Sequence, residues 1–193
     1  MRFPSKTVTL LALILAISAI SYISCNKDNN VTSSTIIKCV TCANGGLCIN
    51  DTCRCPAGYE GTSCQTQAIQ KFLGNWMVNE KGSITSMRNY SIYIENFSSL
   101  TSIIINQLYY PYISNFVSPN QLSGSIAGDS IFIPTQPLYD SANIVGKGYF
   151  THGTGGAQST ITFRYQVTNT YTGVVNDFGY SNPANNPSVW TFN

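Results

Sequence analysis

The sequence predicts a mainly β protein. A small disulfide-stapled module is followed by an antiparallel eight-stranded β-barrel, with a β-sandwich as the alternative arrangement of the same strands. Three observations predict this. Six of the seven cysteines lie between Cys39 and Cys64, and a segment that short cannot bury a sufficient core without covalent staples. Beyond Thr66 cysteine disappears and apolar residues alternate with polar ones, the period of a half-buried strand. Only 9% of residues are charged, so the long charged helix formers are scarce, while Tyr, Asn, Ser and Thr carry the polar surface. Closing the sheet removes its edges, which favours the barrel.

Residues 1–24 read as a secretion signal. Arg2 and Lys6 give a positive start, and Val8 to Ile23 is an apolar run. A transmembrane anchor is the alternative, but the run falls short of the ~20 residues a span needs. Ser24-Cys25 after this run resembles a bacterial lipobox, with Tyr22 in place of the usual leucine. The resemblance implies that the Cys25 thiol carries a diacylglycerol and becomes the mature N-terminus; ordinary cleavage leaving a free thiol is the alternative. Asn26-Lys27-Asp28-Asn29 resembles the export tag that sends lipoproteins of certain Gram-negative bacteria to the outer surface. Residues 25–37 then read as a lipidated flexible tether, because the stretch is mostly polar and lacks apolar periodicity. Several acyl chains hold a protein on a membrane firmly, at ~0.8 kcal/mol per buried CH₂.

Residues 38–65 hold Cys39, Cys42, Cys48, Cys53, Cys55 and Cys64, with gaps of two, five, four, one and eight residues. Such density requires an oxidising compartment. Six cysteines allow ~15 connectivities. From Cys42 the pattern closely resembles an EGF-like domain, with Asn44-Gly45-Gly46 before Cys48 and Gly58-Tyr59-Glu60-Gly61 before Cys64. The resemblance implies Cys39–Cys48, Cys42–Cys53 and Cys55–Cys64. It departs from the family in the short first gap. The acidic residues of the calcium-binding subset are replaced by Ile36-Ile37-Lys38, and Leu47 stands where a sugar-bearing hydroxyl would be. The expected role is a spacer or a protein-contact module.

Residues 66–193 are expected to form the barrel. Strands are predicted over Leu73–Asn79, Tyr90–Phe97, Thr101–Tyr109, Gln121–Ala127, Ser130–Pro134, Asn143–Thr151, Ser159–Thr168 and Ser188–Asn193. Turn signals such as Ala127-Gly128-Asp129 separate them. Gly74-Asn75-Trp76 and the closing Val189-Trp190-Thr191-Phe192 resemble the lipocalin-like (calycin) barrels, and the resemblance implies that Trp76 plugs one barrel end. The reading from residues alone is a core Trp on an ordinary strand. Asn169 to Pro187 is expected to be a long loop, and such loops are often functional. Trp76, Tyr171, Phe178 and Tyr180 are candidate ligand contacts, but the preferred reading of the loop is that it packs on itself and caps the barrel. Tyr109-Tyr110-Pro111-Tyr112 is a second aromatic cluster of the same kind.

The charge balance excludes nucleic acid as a partner, since a net charge of +2 without Lys or Arg clusters cannot neutralise phosphates. No enzyme is expected. The single histidine, His152, lies in a glycine-rich turn, so no Ser-His-acid set is supported. Glu80, Glu95, Asp129, Asp140 and Asp177 are scattered, so neither a metal nor a cofactor is expected. The expected function is a membrane-anchored, surface-exposed lipoprotein that acts as a binding module presented on an EGF-like spacer. Its expected partners are the membrane, through its lipid on the outer membrane, and an extracellular protein, glycan or small apolar ligand. The alternative is a structural cell-envelope protein without a dedicated ligand.

Overall fold

The structure, a computed structural model, describes residues 41–109, 121–139 and 141–193. The expected signal, Cys25, the tether, Cys39, and the aromatic residues Tyr110 and Tyr112 lie outside the described residues. Among those described, no helix is long and apolar enough to cross a membrane.

The cysteine segment folds as two small hairpins. Strands β1 (Leu47–Ile49) and β2 (Thr52–Arg54) pair antiparallel around Asn50-Asp51. Both turn residues have positive φ, 48° and 60°, the handedness that matches strand twist in a two-residue hairpin. Strands β3 (Tyr59–Glu60) and β4 (Thr66–Gln67) form the second pair. Disulfides join Cys42 to Cys53 and Cys55 to Cys64. Cys48 is also disulfide-bonded; its expected partner Cys39 lies outside the described residues. Each such staple typically contributes ~2–4 kcal/mol by restricting the unfolded chain.

The remainder is a closed eight-stranded antiparallel barrel. A short 3₁₀ turn (Ala68–Lys71) leads into β5 (Gly74–Glu80), β6 (Arg88–Asn96), β7 (Ser102–Asn106), β8 (Gln121–Ala127), β9 (Ser130–Tyr139), β10 (Ala142–Thr151) and β11 (Thr160–Asn169). These seven strands pair in sequence order, each with the next. Strand β12 (Val175–Phe178) then pairs with Gln166–Thr168, and β13 (Ser188–Phe192) with Thr160–Phe163. β13 also pairs with β5, which closes the ring. Together β12 and β13 act as one wall strand interrupted by the loop 179–187. Beside β12 the wall is completed by the β5–β6 loop: Ser83 N–H donates to the Asp177 carbonyl at 3.0 Å, and Asp177 N–H donates to Ser83 Oγ at 3.0 Å.

The sandwich alternative is thus set aside, and two local expectations need correction. Asn169–Pro187 is not all loop, because it contains β12. Strand β9 does not end at Pro134 but runs on to Tyr139. Proline lacks a ladder N–H, so it is tolerated in a strand at an edge or a bulge. Here the β9–β10 register shifts between Ile144 and Gly146 and again between Ala142 and Asn143, beside Pro134 and Pro137. Opposite this irregular stretch the Gln136 side chain replaces a backbone partner. It accepts from Ser123 N–H at 3.0 Å and donates to the Ser123 carbonyl at 2.7 Å.

Alternation puts one apolar set inside. Trp76, Ile94, Ile105, Ile131, Phe163 and Trp190 are all fully buried, each contributing about 1.5–3 kcal/mol as an upper estimate. Gly146 and Gly148 on β10 lie opposite Tyr165 and Phe163 on β11. A Cβ at either glycine would come within 2.7 Å of the Phe163 ring, so absent side chains make room for the aromatic ones.

Candidate ligand-binding face

The barrel has two unlike ends. At the first, the 3₁₀ turn packs Ile69 and Phe72 under the strands, and Trp76 lies fully buried against them. Its Nε1 donates to the Phe72 carbonyl at 2.8 Å, and its ring meets Phe150 and Phe192 edge-on at 6.2 and 5.1 Å. The cysteine segment is fastened to this same end. Lys71 Nζ lies 2.5 Å from Glu60 on β3 and 2.5 Å from Asp129 in the β8–β9 turn. Burial works against the ammonium charge, but hydrogen bonds to the two carboxylates outweigh it, and the Lys71 pKa lies above the ordinary lysine value. Ala68 N–H donates to the Gly58 carbonyl at 2.9 Å. At Gly58, φ is +87° and a Cβ would lie 2.7 Å from Leu100 Cβ, so glycine serves both the turn and the close approach. Lys71→Met is expected to cost about 2 kcal/mol, less than for a fully buried pair because both carboxylates are partly exposed. Hydrogen exchange over residues 58–67 would then speed up more than exchange in β10 and β11; uniform exchange would overturn the assignment of Lys71 as the joint.

At the opposite end the interior becomes polar. Glu80 follows Trp76 and Val78 on the inward face of β5 and is 2% exposed. Its carboxylate accepts from Tyr90 Oη at 2.6 Å, Tyr165 Oη at 2.9 Å and Ser188 Oγ at 2.6 Å. Ser188 Oγ accepts in turn from Trp190 Nε1 at 2.7 Å, and Tyr90 Oη from Tyr109 N–H at 3.0 Å. No cation lies within ion-pair distance of Glu80 among the described residues. Burial therefore raises its pKa above the usual glutamate value, although the three hydroxyls oppose the shift. The Tyr165 phenol is raised well above its ordinary value by burial and by the neighbouring Glu80 charge. Asn176 joins this cluster to the loop, donating to Tyr109 Oη at 3.1 Å and to Thr85 Oγ1 at 3.0 Å.

The outer wall carries a third feature. On β9, β10 and β11, Phe132, Lys147 and Arg164 stand in one cross-strand row, and Ser130, Tyr149 and Thr162 in the next. These residues line a groove of about 240 Å³. The Phe132 and Tyr149 rings are 44% and 55% exposed. Lys147 and Arg164 face each other directly, and like charges opposite one another in a ladder are destabilising. Among the described residues neither has a carboxylate within ion-pair distance. Arg164 Nη1 donates to the Gly179 carbonyl at 3.2 Å, which holds the guanidinium against the wall.

The residues singled out in the sequence do not converge. Trp76 is in the closed end. Phe178 is fully buried and stacks on Tyr165, with centroids 4.2 Å apart. Tyr171 is 82% exposed on the β11–β12 turn. Tyr180 is half-buried in the 179–187 loop, where its N–H donates to Asp177 at 2.9 Å. Burial would raise the Asp177 pKa, but amide donors from Ser181, Asn182, Asn185 and Tyr180 prevail and lower it. This loop is thus organised by the Asp177 carboxylate of β12. His152 sits exposed against Phe150, with ring centroids 4.7 Å apart. No group of three or more metal-ligating side chains occurs among the described residues. Sequence reasoning missed Glu80, Lys147 and Arg164. Extending the Trp76-Val78 alternation by one step would have placed Glu80 inside; nothing local in the sequence pairs Lys147 with Arg164. No protein-family model, curated protein or solved structure matches this chain.

Proposed function

We propose that this chain is a lipid-anchored, surface-exposed binding protein, in which an EGF-like spacer presents a calycin-type barrel. The observation that carries this reading is the Lys71 joint. One ammonium clamps a carboxylate of the cysteine segment and a carboxylate of a barrel turn, at 2.5 Å each. A stapled segment fixed to the plugged end acts as a rigid stalk and leaves the polar end and the outer wall free. The EGF-like assignment is supported by the Cys42–Cys53 and Cys55–Cys64 bonds and by the positive φ of Gly58 and Gly61. The calycin-type assignment is supported by the buried Trp76 at the 3₁₀-capped end. Trp76 and Trp190 are fully buried inside the barrel with Phe163, Tyr165 and Phe178. The outer wall carries the exposed rings of Phe132 and Tyr149 beside Lys147 and Arg164, which supports that wall as the binding surface.

The anchor is tested by metabolic labelling with a radiolabelled fatty acid in cells that make the full chain. The wild type is expected to label and Cys25→Ser to lose the label. Labelling of the Cys25→Ser chain would overturn the lipid-anchor reading. Added protease should remove the wild-type barrel from intact cells, whereas full protection would count against surface exposure.

A further inference from the structure

We propose that the outer groove on β9, β10 and β11 is a binding site for an acidic saccharide, held through its carboxylate or sulfate. The assignment rests on the reading of the barrel as a binding module. Four observations lead to it. Lys147 and Arg164 are opposite one another in the ladder, a placement that costs stability unless an anion lies between them. Among the described residues no acidic side chain neutralises either one. Arg164 is held by the Gly179 carbonyl at 3.2 Å, so one cation is pre-positioned and loses less freedom on binding. Phe132 and Tyr149 rise as exposed rings beside the cations.

These parts match the two faces of an acidic sugar. The anionic group accepts charge-assisted hydrogen bonds, and the planar guanidinium offers two parallel donors to it. The C–H face of the ring packs on an aromatic side chain, which supplies apolar area at low entropic cost. Ser130 and Thr162 line the same groove and can donate to or accept from ring hydroxyls. A volume of about 240 Å³ lies just below the usual range of ligand clefts, roughly 300–1,000 Å³. It suits one sugar unit of a longer chain lying along the wall. An acidic peptide would satisfy the cations but has no use for the two rings and two hydroxyls together.

The test is calorimetric titration of the purified full chain with tetragalacturonate, a sulfated heparin disaccharide, neutral maltotetraose and a tetraglutamate peptide. One of the two acidic saccharides is expected to bind, with affinity falling as salt rises, and maltotetraose is expected not to bind. Which acidic saccharide binds distinguishes carboxylate from sulfate as the source. Lys147→Glu converts the like-charged pair into an ion pair with Arg164. It should abolish binding, at least tenfold, while the thermal midpoint stays level or rises. Tyr149→Ser should weaken saccharide binding several-fold and leave the salt dependence in place. Absence of binding by both acidic saccharides would overturn the proposal. So would equal affinity for tetraglutamate, or unchanged affinity in Lys147→Glu. None of these results alters fatty-acid labelling at Cys25, so the anchor reading stands or falls separately.

Discussion

Glu80→Ala is expected to lower the stability of the barrel by about 3 kcal/mol or more, while Glu80→Gln leaves it level or higher at neutral pH. The alanine strands two fully buried hydroxyls, those of Tyr165 and Ser188, and takes one acceptor from half-buried Tyr90; all three donate to Glu80. Each orphaned buried group costs about 1–3 kcal/mol. Glutamine keeps an acceptor for the two tyrosines, and its amide can donate to Ser188 Oγ. It also removes a buried charge that no cation among the described residues pairs. The two variants further separate by pH. Burial raises the folded pKa of Glu80, so the folded state holds this proton more tightly than the unfolded chain. The resulting stabilisation is complete below the ordinary glutamate pKa and is lost as pH rises through the folded value. Asp177 acts in the opposite sense: its lowered pKa adds stability above the ordinary aspartate value that is lost as pH falls through the folded one. Thermal midpoints of wild type and Glu80→Gln across acidic to neutral pH isolate the first term. The wild type should lose ground to the variant as pH rises. Parallel curves would show that Glu80 titrates as it does in the unfolded chain.

Trp76→Ala should cost about 3–5 kcal/mol, the range for deleting a large buried aromatic side chain. The side chain is fully buried, touches Phe150 and Phe192 edge-on, and bonds the carbonyl of Phe72 at 2.8 Å. Its removal opens a void and leaves a carbonyl unpaired at the end that also receives the cysteine segment. Chemical denaturation of the full chain should show a lower midpoint with an unchanged slope. A loss below 1 kcal/mol would mean that the capped end collapses around the gap.

Much of the barrel was legible because its walls obey simple alternation. On β6, Ile92 and Ile94 point inward while Ser91 and Tyr93 stay exposed, as a period of two requires. Strand β12 was hidden because its residues break that rule. Asn176, Asp177 and Phe178 are all buried in succession, the two polar ones by hydrogen bonds to the loops on either side. Strand β9 was cut short at Pro134, since the bulges that accommodate both prolines depend on its partner β10. Glu80 was lost by ending β5 one residue early. Lys147 and Arg164 are a matter of register, which a sequence specifies only through which face is buried. Tyr171, Phe178 and Tyr180 are neighbours in sequence, but β12 sends one into the core and leaves another on a turn.

The pairing of β13 with β5 sets the order of events during folding. The Ser188–Glu80 bond joins residues 108 apart in sequence, and such non-local contacts form late because a long loop must first be closed. The strands from β5 to β11 can assemble by local hairpins as the chain is made. Until residues 188–192 arrive, that sheet is open, and β5 and β11 present bare edges to any other chain. Five residues convert an open sheet with two adhesive borders into a ring with none. The aggregation hazard of this protein is therefore a matter of time, set by how long the unfinished sheet waits for its final strand.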